Sequence, residues 1–274
     1  MATIIIPAHN EETVIRACID SVIDQKDVET IIVACNGCSD NTADIVREHY
    51  PEAICLDIEK PSKTNALNEA DQHITSYPVF YLDADTRISE NAVAFISAHV
   101  EKNDILLSAP TPNIDLTQSS WPVRQYYKTW LELPYIKDGV IGTCSFILSK
   151  KGRKRFKKFP DIINDDGYVR CCFESQERAN IAGTTIHITA PKNLYSLIKI
   201  KTRARLGNMQ LDALNLCAKP KKAKYGVSFK NKLLSKDAIP TFVYMLIALF
   251  IRFRAKKQFK AIENYRWEKD HTSR

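Results

Sequence analysis

Glycine is scarce in this sequence, and the glycine-rich loops that hold phosphate groups in two large enzyme classes are missing. The chain has eight glycines in 274 residues, and neither G-x-G-x-x-G nor G-x-x-x-x-G-K-S/T occurs in it. The first motif marks dinucleotide-binding folds, and the second marks the P-loop of many nucleotide-hydrolysing enzymes. The sequence therefore supports neither kind of nucleotide site.

An apolar leader and a regular cysteine framework are also lacking. Ile4-Ile5-Ile6 is too short for the apolar part of a signal peptide, so we expect none. The eight cysteines follow no regular spacing. Cys35 and Cys38 form a C-x-x-C pair that could serve redox or zinc chemistry, but no second pair and no histidine partner lie close in sequence. We therefore predict a reduced, cytoplasmic protein.

Charge is distributed unevenly along the chain. Residues 199–274 contain 19 Lys and Arg residues against five acidic ones, a net charge of +14, so residues 1–198 carry −7 of the total of +7. An acidic body with a basic tail suggests an anionic neighbour, either nucleic acid or an anionic membrane surface. A solvated, charge-rich helical segment is the alternative interpretation.

Short apolar segments alternate with helical patterns through the first ninety residues. Strands are predicted at 3–6, 30–34, 53–56 and 78–82. Helices are predicted at 11–23, up to residue 48, and after residue 60. Four repeats of strand and helix are typical of a mostly parallel sheet with right-handed crossovers.

A polar loop follows each of these strands. Because ligands bind at the carboxyl ends of strands in an open α/β sheet, we expect these loops to converge on one rim. The polar residues concerned are His9, Asn36, Lys63, Asp83 and Asp85. If the chain stays extended, period-two spacing puts both aspartates on one side. Two adjacent carboxylates suit Mg²⁺ or Mn²⁺, although a lone Asp-x-Asp would more simply be a solvated turn.

Four segments, taken in order, carry a resemblance to a known family. They are IIIPAHNEE at 4–12, NGCSDNT at 36–42, KTNALN at 63–68 and LDAD at 82–85. The set resembles the family 2 glycosyltransferases, which are inverting enzymes of GT-A fold, over about residues 1–175. The resemblance implies an α/β fold with a Rossmann-like, mostly parallel sheet flanked by helices, and a nucleotide-sugar donor.

The resemblance also implies roles for single residues. Those implied to contact the donor are Pro7, Ala8, His9, Glu11, Asn36, Lys63 and Asp83. Asp85, together with Asp83, is implied to bind a Mg²⁺ or Mn²⁺ ion on the diphosphate. Two positions depart from the family pattern. Cys35-Asn36 stands where many members have two aspartates, which leaves the base open, and Ser62 replaces the glycine usual before the helix lysine.

The middle of the chain is implied to serve the acceptor. Gly142 and Thr143 lie in a glycine-bearing loop that resembles a family segment touching donor sugar and acceptor. Asp165-Asp166 resembles the family's acidic pair at a helix start, with Asp166 as the general base that takes the acceptor proton. Asp165 is the second catalytic candidate, although it could act only as a helix cap. One base and no enzyme nucleophile imply inversion.

Aromatic residues and one histidine leave alternatives open. Trp121, Tyr126, Tyr127 and Trp130 could line the acceptor site or pack in the core, and for Trp130 we favour the core. His187 lies in an alternating stretch at 184–189 that predicts a strand. It could be a third metal ligand, but a core or surface histidine is the simpler interpretation.

The basic tail contains three further features. Arg203 and Arg205 lie where family members place a basic helix over the diphosphate, and 219–224 is predicted to be a flexible linker. Residues 238–251 form an uncharged run of 14 residues. As a helix, this run would span about 21 Å, less than the ~30 Å of a bilayer core, so we do not predict a transmembrane segment. It is either a core helix or a helix in the membrane interface, and we favour the interface because basic residues follow it.

Together these features predict a catalytic domain at 1–195, with a nucleotide-sugar half at about 1–100 and an acceptor half at about 101–195. A basic helical region that could associate with a membrane is predicted at 196–274. The expected function is inverting, metal-dependent sugar transfer to a saccharide or lipid-linked acceptor in cell-surface polysaccharide assembly. A nucleotidyltransferase or an inactive nucleotide-binding module is the alternative, and no nucleic acid is expected as partner.

Overall fold

The structure, a computed structural model, describes residues 1–133, 136, 139–140, 143–217, 235, 237–265, 268, 270 and 272–273. Its contacts divide the chain into two units. The first consists of Met1–Ile114, Asp138–Asp161 and Cys172–Thr189, and the second of Asp115–Lys137, Ile162–Cys171 and Ala190–Arg274. The predicted linker at 219–224 and the candidate Gly142 lie outside the described residues.

A sheet of eight strands, within the described part of the chain, forms the centre of the first unit. The strands are β1 (Ala2–Ala8), β2 (Val28–Asn36), β3 (Ile54–Ile58), β4 (Val79–Leu82), β5 (Thr86–Ile88), β6 (Leu107–Asp115), β7 (Ser145–Leu148) and β8 (Arg178–Thr189). Their order is β3-β2-β1-β4-β7-β6-β8-β5. The predicted parallel arrangement holds for β3, β2, β1 and β4. Antiparallel pairs join β4 to β7, β6 to β7 and β5 to β8, so the whole sheet is mixed.

Helices alternate with the parallel strands as the sequence pattern predicts. The helices described in the first unit are α1 (Ile15–Asp20), α2 (Thr42–His49), α3 (Lys63–Ala70), α4 (Ala92–Lys102) and α6 (Lys150–Arg153). The first helix is shorter than the predicted 11–23, and it follows a turn in which the Glu11 carbonyl accepts from the amides of Val14 and Ile15. Ser62, the departure from the family glycine, caps α3 by accepting from the Asn65 amide.

The strand that leads to the two aspartates is anchored by a buried polar cluster. All four residues of β4 are buried. From this strand, the Tyr81 hydroxyl donates to Asp71 at 2.7 Å, and its ring stacks on Phe146 with centroids 4.6 Å apart. Arg153 forms an ion pair with Asp71. Removing one partner of such a buried pair typically costs about 3–5 kcal/mol, so the cluster fixes β4 against its neighbours.

Helices make up most of what is described of the second unit. They are α5 (Trp121–Trp130), α7 (Asp165–Cys171), α8 (Leu194–Ala213) and α9 (Ala238–Phe259). The longest, α9, packs against α5 and α8. By length and composition alone, α9 could cross a membrane. It extends well past the 14-residue uncharged run, so the sequence estimate of about 21 Å was too short for the helix that forms.

Two of the eight cysteines are not thiols. Cys171, at the end of α7, and Cys217, after α8, form a disulfide with their Cα atoms 5.1 Å apart, and the other six cysteines are thiols. The prediction of a fully reduced chain is therefore wrong for this pair. The two residues are 46 positions apart and meet because α7 packs on α8, which spacing alone does not reveal.

Candidate active site

The loops after β1 and β2 meet at the carboxyl edge of the parallel strands. In the sheet register, Ala8 lies opposite Cys35. His9 Nδ1 donates to the Asn36 carbonyl oxygen at 2.6 Å, and Asn36 Nδ2 donates to the Ala8 carbonyl oxygen at 2.8 Å. Asn36 is buried, and this amide hydrogen bond holds one loop against the other. Pro7 and Ala8 are the last two residues of β1 and border the same edge.

A second set of hydrogen bonds, which the sequence interpretation missed, fixes the same two loops. The Asp40 carboxylate accepts from the Glu12 amide at 3.1 Å and from the Thr42 hydroxyl at 2.6 Å. The Thr42 hydroxyl oxygen in turn accepts from the amide of the buried Glu11 at 2.7 Å. The polar residues of the NGCSDNT segment thus position the first loop. In the sequence, the position of these polar residues just before α2 predicted the start of a helix. It did not predict that they would hold the first loop.

Lys63 and Asp83 form an ion pair at this rim. Lys63 Nζ lies 2.7 Å from Asp83 Oδ1, and both side chains are about one-third exposed or less. The Asp83 backbone is fixed as well, because its amide donates to the Cys144 carbonyl at 3.0 Å. The loop that follows Gly142 therefore adjoins the first aspartate. Within that loop, Thr143 is buried and its hydroxyl donates to the Ser145 carbonyl at 2.7 Å.

The prediction for Asp83 and Asp85 assumed an extended chain, and the chain is not extended there. The chain turns instead of remaining extended, since the Thr86 amide and hydroxyl both donate to the Asp83 carbonyl, at 3.1 and 2.7 Å. Both carboxylates nevertheless act on one group. The pKa of the buried Cys18 thiol is raised, first by burial and then by the charges of Asp85 and Asp83. The turn thus gathers two hard oxygen donors of the kind that Mg²⁺ and Mn²⁺ prefer.

No larger metal cluster accompanies this pair in the part of the chain that the structure describes. Within those residues, no group of three or more His, Cys, Asp or Glu side chains could hold a metal ion. His187 lies opposite Arg87 between β5 and β8, is exposed, and contacts Asn113 at 3.3 Å, so it is a surface histidine. A divalent ion at Asp83 and Asp85 would need its remaining ligands from substrate and water.

The acidic pair Asp165-Asp166 opens α7 in the second unit. Asp165 is buried, with 4% of its surface exposed, whereas Asp166 is partly exposed. Asp166 Oδ1 accepts from the Gly167 amide at 2.7 Å. The helix start is held on α8, because Asn164 donates to Asn208 at 2.7 Å. Of the two aspartates, Asp166 is thus the more exposed.

The two predicted arginines differ in their surroundings. Arg203 Nη1 donates to the Glu268 carbonyl at 3.1 Å, so this guanidinium helps to hold the carboxyl-terminal segment of its own unit. Arg205, on the same helix, is exposed.

The four aromatic residues of α5 also differ in exposure, since three are buried and one is exposed. Trp130 is buried, as predicted, and Lys201 Nζ lies 3.7 Å from its ring centroid. Tyr126 and Tyr127 are buried too, while Trp121 is half exposed. Trp121 is therefore the one of the four that remains open to an acceptor.

Comparison with known proteins identifies the fold. The mannosyltransferase PcManGT from Pyrobaculum calidifontis, solved with GDP-Man and Mn²⁺, has a TM-score of 0.61 at 17% identity, over 97% of this chain and 81% of that one. Glucosyl-3-phosphoglycerate synthase from Mycobacterium tuberculosis, solved with Mn²⁺ and UDP, has a TM-score of 0.53 at 17% identity, over 81% of each chain. Both likenesses establish a GT-A arrangement of strands and helices.

A longer relative matches over part of its length. S. aureus TarS has a TM-score of 0.55 at 14% identity, and the match covers 88% of this chain but 43% of TarS. No curated protein sequence matches the chain. The sequence model described as "Glycosyl transferase family 2" matches residues 3–156, which is more than half of the chain. The chain therefore belongs to family 2 of the glycosyltransferases.

Proposed function

We propose that this protein is an inverting glycosyltransferase that uses Mg²⁺ or Mn²⁺ to move a sugar from a nucleotide-sugar to an acceptor hydroxyl. The observation that carries the proposal is the carboxylate pair Asp83 and Asp85 in the turn after β4, where Asp83 is ion-paired with Lys63. Two solved relatives support it, since one contains GDP-Man with Mn²⁺ and the other UDP with Mn²⁺.

We assign the donor to the rim of the first unit. The residues proposed to line it are Pro7, Ala8, His9, Glu11, Asn36, Lys63 and Asp83. Asn36, whose Nδ2 donates to the Ala8 carbonyl, fixes the wall of the base pocket. Lys63 supplies positive charge where phosphate oxygens would bind, and it neutralises Asp83 in the absence of substrate.

Asp85, with Asp83, is the proposed metal-binding pair. The ion, when bound, supplies Lewis-acid stabilisation of the charge that develops on the departing diphosphate. The residues of the chain fit that ion because both offer carboxylate oxygens from a single turn. We further propose that Arg205, and to a lesser extent Arg203, contacts phosphate oxygens, since the guanidinium fork matches their geometry.

Asp166 is the proposed general base. It would accept the proton of the acceptor hydroxyl as that oxygen attacks the anomeric carbon, and one displacement inverts the configuration there. Its partial exposure supports this role over that of the buried Asp165, which we retain as a second catalytic candidate. Gly142 and Thr143 are proposed to border donor sugar and acceptor, with Thr143 acting through its backbone because its hydroxyl is bonded within the loop.

Incubation with a panel of UDP- and GDP-sugars tests the reaction. We expect consumption of one donor class only when Mn²⁺ or Mg²⁺ is present, with activity lost in a chelator and restored by added metal, because the diphosphate leaves with its charge stabilised by the ion. Liquid chromatography of the released nucleoside diphosphate measures turnover. Proton NMR of the product should show the anomeric configuration opposite to that of the donor.

The same assay separates the alternatives. A nucleotidyltransferase would release pyrophosphate from nucleoside triphosphates and leave the sugar panel untouched. An inactive module would bind a nucleoside diphosphate in a calorimeter yet consume no donor with any metal. Product that keeps the donor configuration would contradict the inverting mechanism.

An exposed apolar face on α9 supports a membrane-bound acceptor. Seven large apolar side chains of this helix are each at least 42% exposed: Ile239, Phe242, Met245, Leu246, Leu249, Phe250 and Phe253. They recur at helical spacing on the side away from Ile247, Ile251 and Ala255, which are buried. Only 28% of the most apolar stretch is buried, which is low for a core helix.

Positive charge lies at the carboxyl end of this apolar face. Arg252, Lys256, Lys257 and Lys260 are all exposed there. A basic residue near an anionic leaflet contributes about 1 kcal/mol, and apolar side chains insert at the boundary between headgroups and acyl chains. We therefore propose that α9 lies in the interface of an anionic membrane, on its cytoplasmic face, and that the acceptor is a lipid-linked saccharide.

Vesicle co-sedimentation tests the membrane assignment. The full-length protein should pellet with vesicles of phosphatidylcholine and phosphatidylglycerol, and much less with phosphatidylcholine alone or at high salt, because screening removes the electrostatic part. The Phe250→Glu and Phe253→Glu double variant should lose most binding. Phe95→Glu serves as the matched control, since Phe95 is also half exposed but lies on α4.

Two results would overturn the assignment. Binding that survives an alkaline carbonate wash would mean that α9 spans the bilayer. The other result is a protein that does not bind vesicles but forms a concentration-dependent dimer, which the same double variant converts to monomer. It would mean that a second copy of the chain covers this face.

A further inference from the structure

Three thiols meet beside the proposed donor pocket. Cys35 is fully buried near the end of β2 and belongs to the core cluster against which Cys38 and Cys55 pack. Cys55 lies on β3 opposite Val33, two residues before Cys35, so Cys35 and Cys55 occupy the same face of the sheet. Cys38 follows in the loop and is half-buried. The two cysteines of the C-x-x-C sequence therefore lie in one packed region, because Cys38 Sγ reaches the Ala8 carbonyl and Ala8 pairs with Cys35 in the sheet.

The surroundings of Cys38 make it the reactive member. Its pKa is lowered to about 6, first by the hydrogen bond from Cys35, with the Asn10 backbone and His9 adding to the effect against burial. The pKa of Cys35 is raised, because its proton is held by Cys38 and Cys55 and it is buried. A thiolate beside a protonated thiol is the arrangement from which a nucleophilic and a resolving cysteine act.

The same loop contributes to the donor pocket. In its thiol form Cys38 donates to the Ala8 carbonyl at 3.5 Å, the same oxygen that the Asn36 side chain binds. Gly37 stands between them at φ +57°, and an added Cβ there would lie 2.7 Å from the Pro61 Cβ. The backbone at Gly37 therefore has little room to move. A bond between Cys35 and Cys38 would shift the positions of Ala8 and Asn36.

We propose that Cys35 and Cys38 form a reversible disulfide on exposure to a hydroperoxide, and that the oxidised loop binds the nucleotide donor more weakly. Cys38 sulfur attacks the terminal peroxide oxygen and becomes a sulfenic acid, while the O–O bond breaks and the alcohol or water leaves with the proton. Cys35 sulfur then attacks Cys38 sulfur and expels water. The two thiols lose two electrons, the peroxide gains them, and a dithiol reductant reverses the bond by exchange.

Peptide mapping after hydrogen peroxide treatment tests the bond itself. The full-length protein is oxidised, its remaining thiols are alkylated, and the digest is analysed by mass spectrometry. We expect a new Cys35–Cys38 link beside the existing Cys171–Cys217 disulfide. Cys35→Ser should leave a sulfenic acid at Cys38 that dimedone traps, and Cys38→Ser should leave none. Cys55→Ser and the control Cys172→Ser should keep the link. A Cys35–Cys55 link, or labelling of Cys38 no faster than of Cys172, would overturn the proposal.

Nucleotide affinity tests the consequence, and this part rests on the proposed function. UDP and GDP are titrated with Mn²⁺ into the reduced and the oxidised protein. Loss of about one hydrogen bond at the pocket wall predicts binding about tenfold weaker after oxidation, restored by dithiothreitol, and no change in oxidised Cys38→Ser. Equal affinity in both states would refute the coupling. A reduced protein that binds neither nucleotide would count against the proposed function, while the mapping still judges the disulfide.

Discussion

Replacing Asp85 by alanine is expected to reduce sugar transfer by about a thousandfold while the fold stays intact. The carboxylate is one of two hard oxygen donors in the turn after β4, and metal stabilisation of a departing phosphate is worth several kcal/mol, at about 1.4 kcal/mol per tenfold in rate. Asp85 is partly exposed in a turn, so the fold loses little packing when it is shortened. Initial rates at saturating donor and metal measure the effect.

Two further variants make this result specific. Asp85→Asn keeps the size of the side chain and removes its charge, so it should lose nearly as much activity as the alanine variant. Asp44→Ala is the control, because Asp44 is exposed on α2 and pairs with nearby Arg47. Titration of Mn²⁺ in the presence of UDP or GDP should show weaker Mn²⁺ binding for both Asp85 variants and unchanged Mn²⁺ binding for Asp44→Ala. Near-normal turnover of Asp85→Ala with normal Mn²⁺ affinity would remove Asp85 from the metal site.

Local sequence signals were enough to predict the parallel half of the sheet and the loops at its rim. Strands such as β4 are short apolar runs buried throughout, and their loops follow at once, so each signal lies within a few residues. The path of the chain between Asp83 and Asp85 was not predictable in this way. The turn depends on Thr86, whose hydroxyl and amide both bind the Asp83 carbonyl, and a β-branched residue there also fits a continuing strand.

Features that depend on contacts between residues far apart in the chain could not be predicted from the sequence. The hydrogen bond from Asn36 Nδ2 to the Ala8 carbonyl spans the β1–β2 pair and joins residues 28 positions apart. The Cys171–Cys217 disulfide joins positions that only helix packing brings together. By contrast, the spacing of the exposed apolar residues Phe242, Leu246 and Phe250 on α9 is set within a single helix, so it can be read directly from the sequence.

Replacing Asp166 by asparagine should lower kcat by a factor of about 10² to 10⁴ and leave donor affinity unchanged. Asparagine keeps the size of the side chain and a hydrogen-bond acceptor for the Gly167 amide, so the start of α7 is preserved while the proton acceptor is lost. The acidic limb of the pH–rate profile should disappear with the base. Steady-state kinetics across pH, with calorimetric titration of UDP or GDP, separate this loss from weaker binding.

Asp165→Asn is the matched comparison, because the two aspartates are adjacent and differ in exposure. Asp165 is buried at the start of α7, so its substitution should act through stability, lowering the melting temperature while the surviving folded enzyme keeps its pH profile. Asp166→Asn should show the reverse, a normal melting temperature with a slow chemical step. If Asp165→Asn instead loses the acidic limb and Asp166→Asn keeps both rate and profile, the general base is Asp165, and the partial exposure of Asp166 serves some other contact.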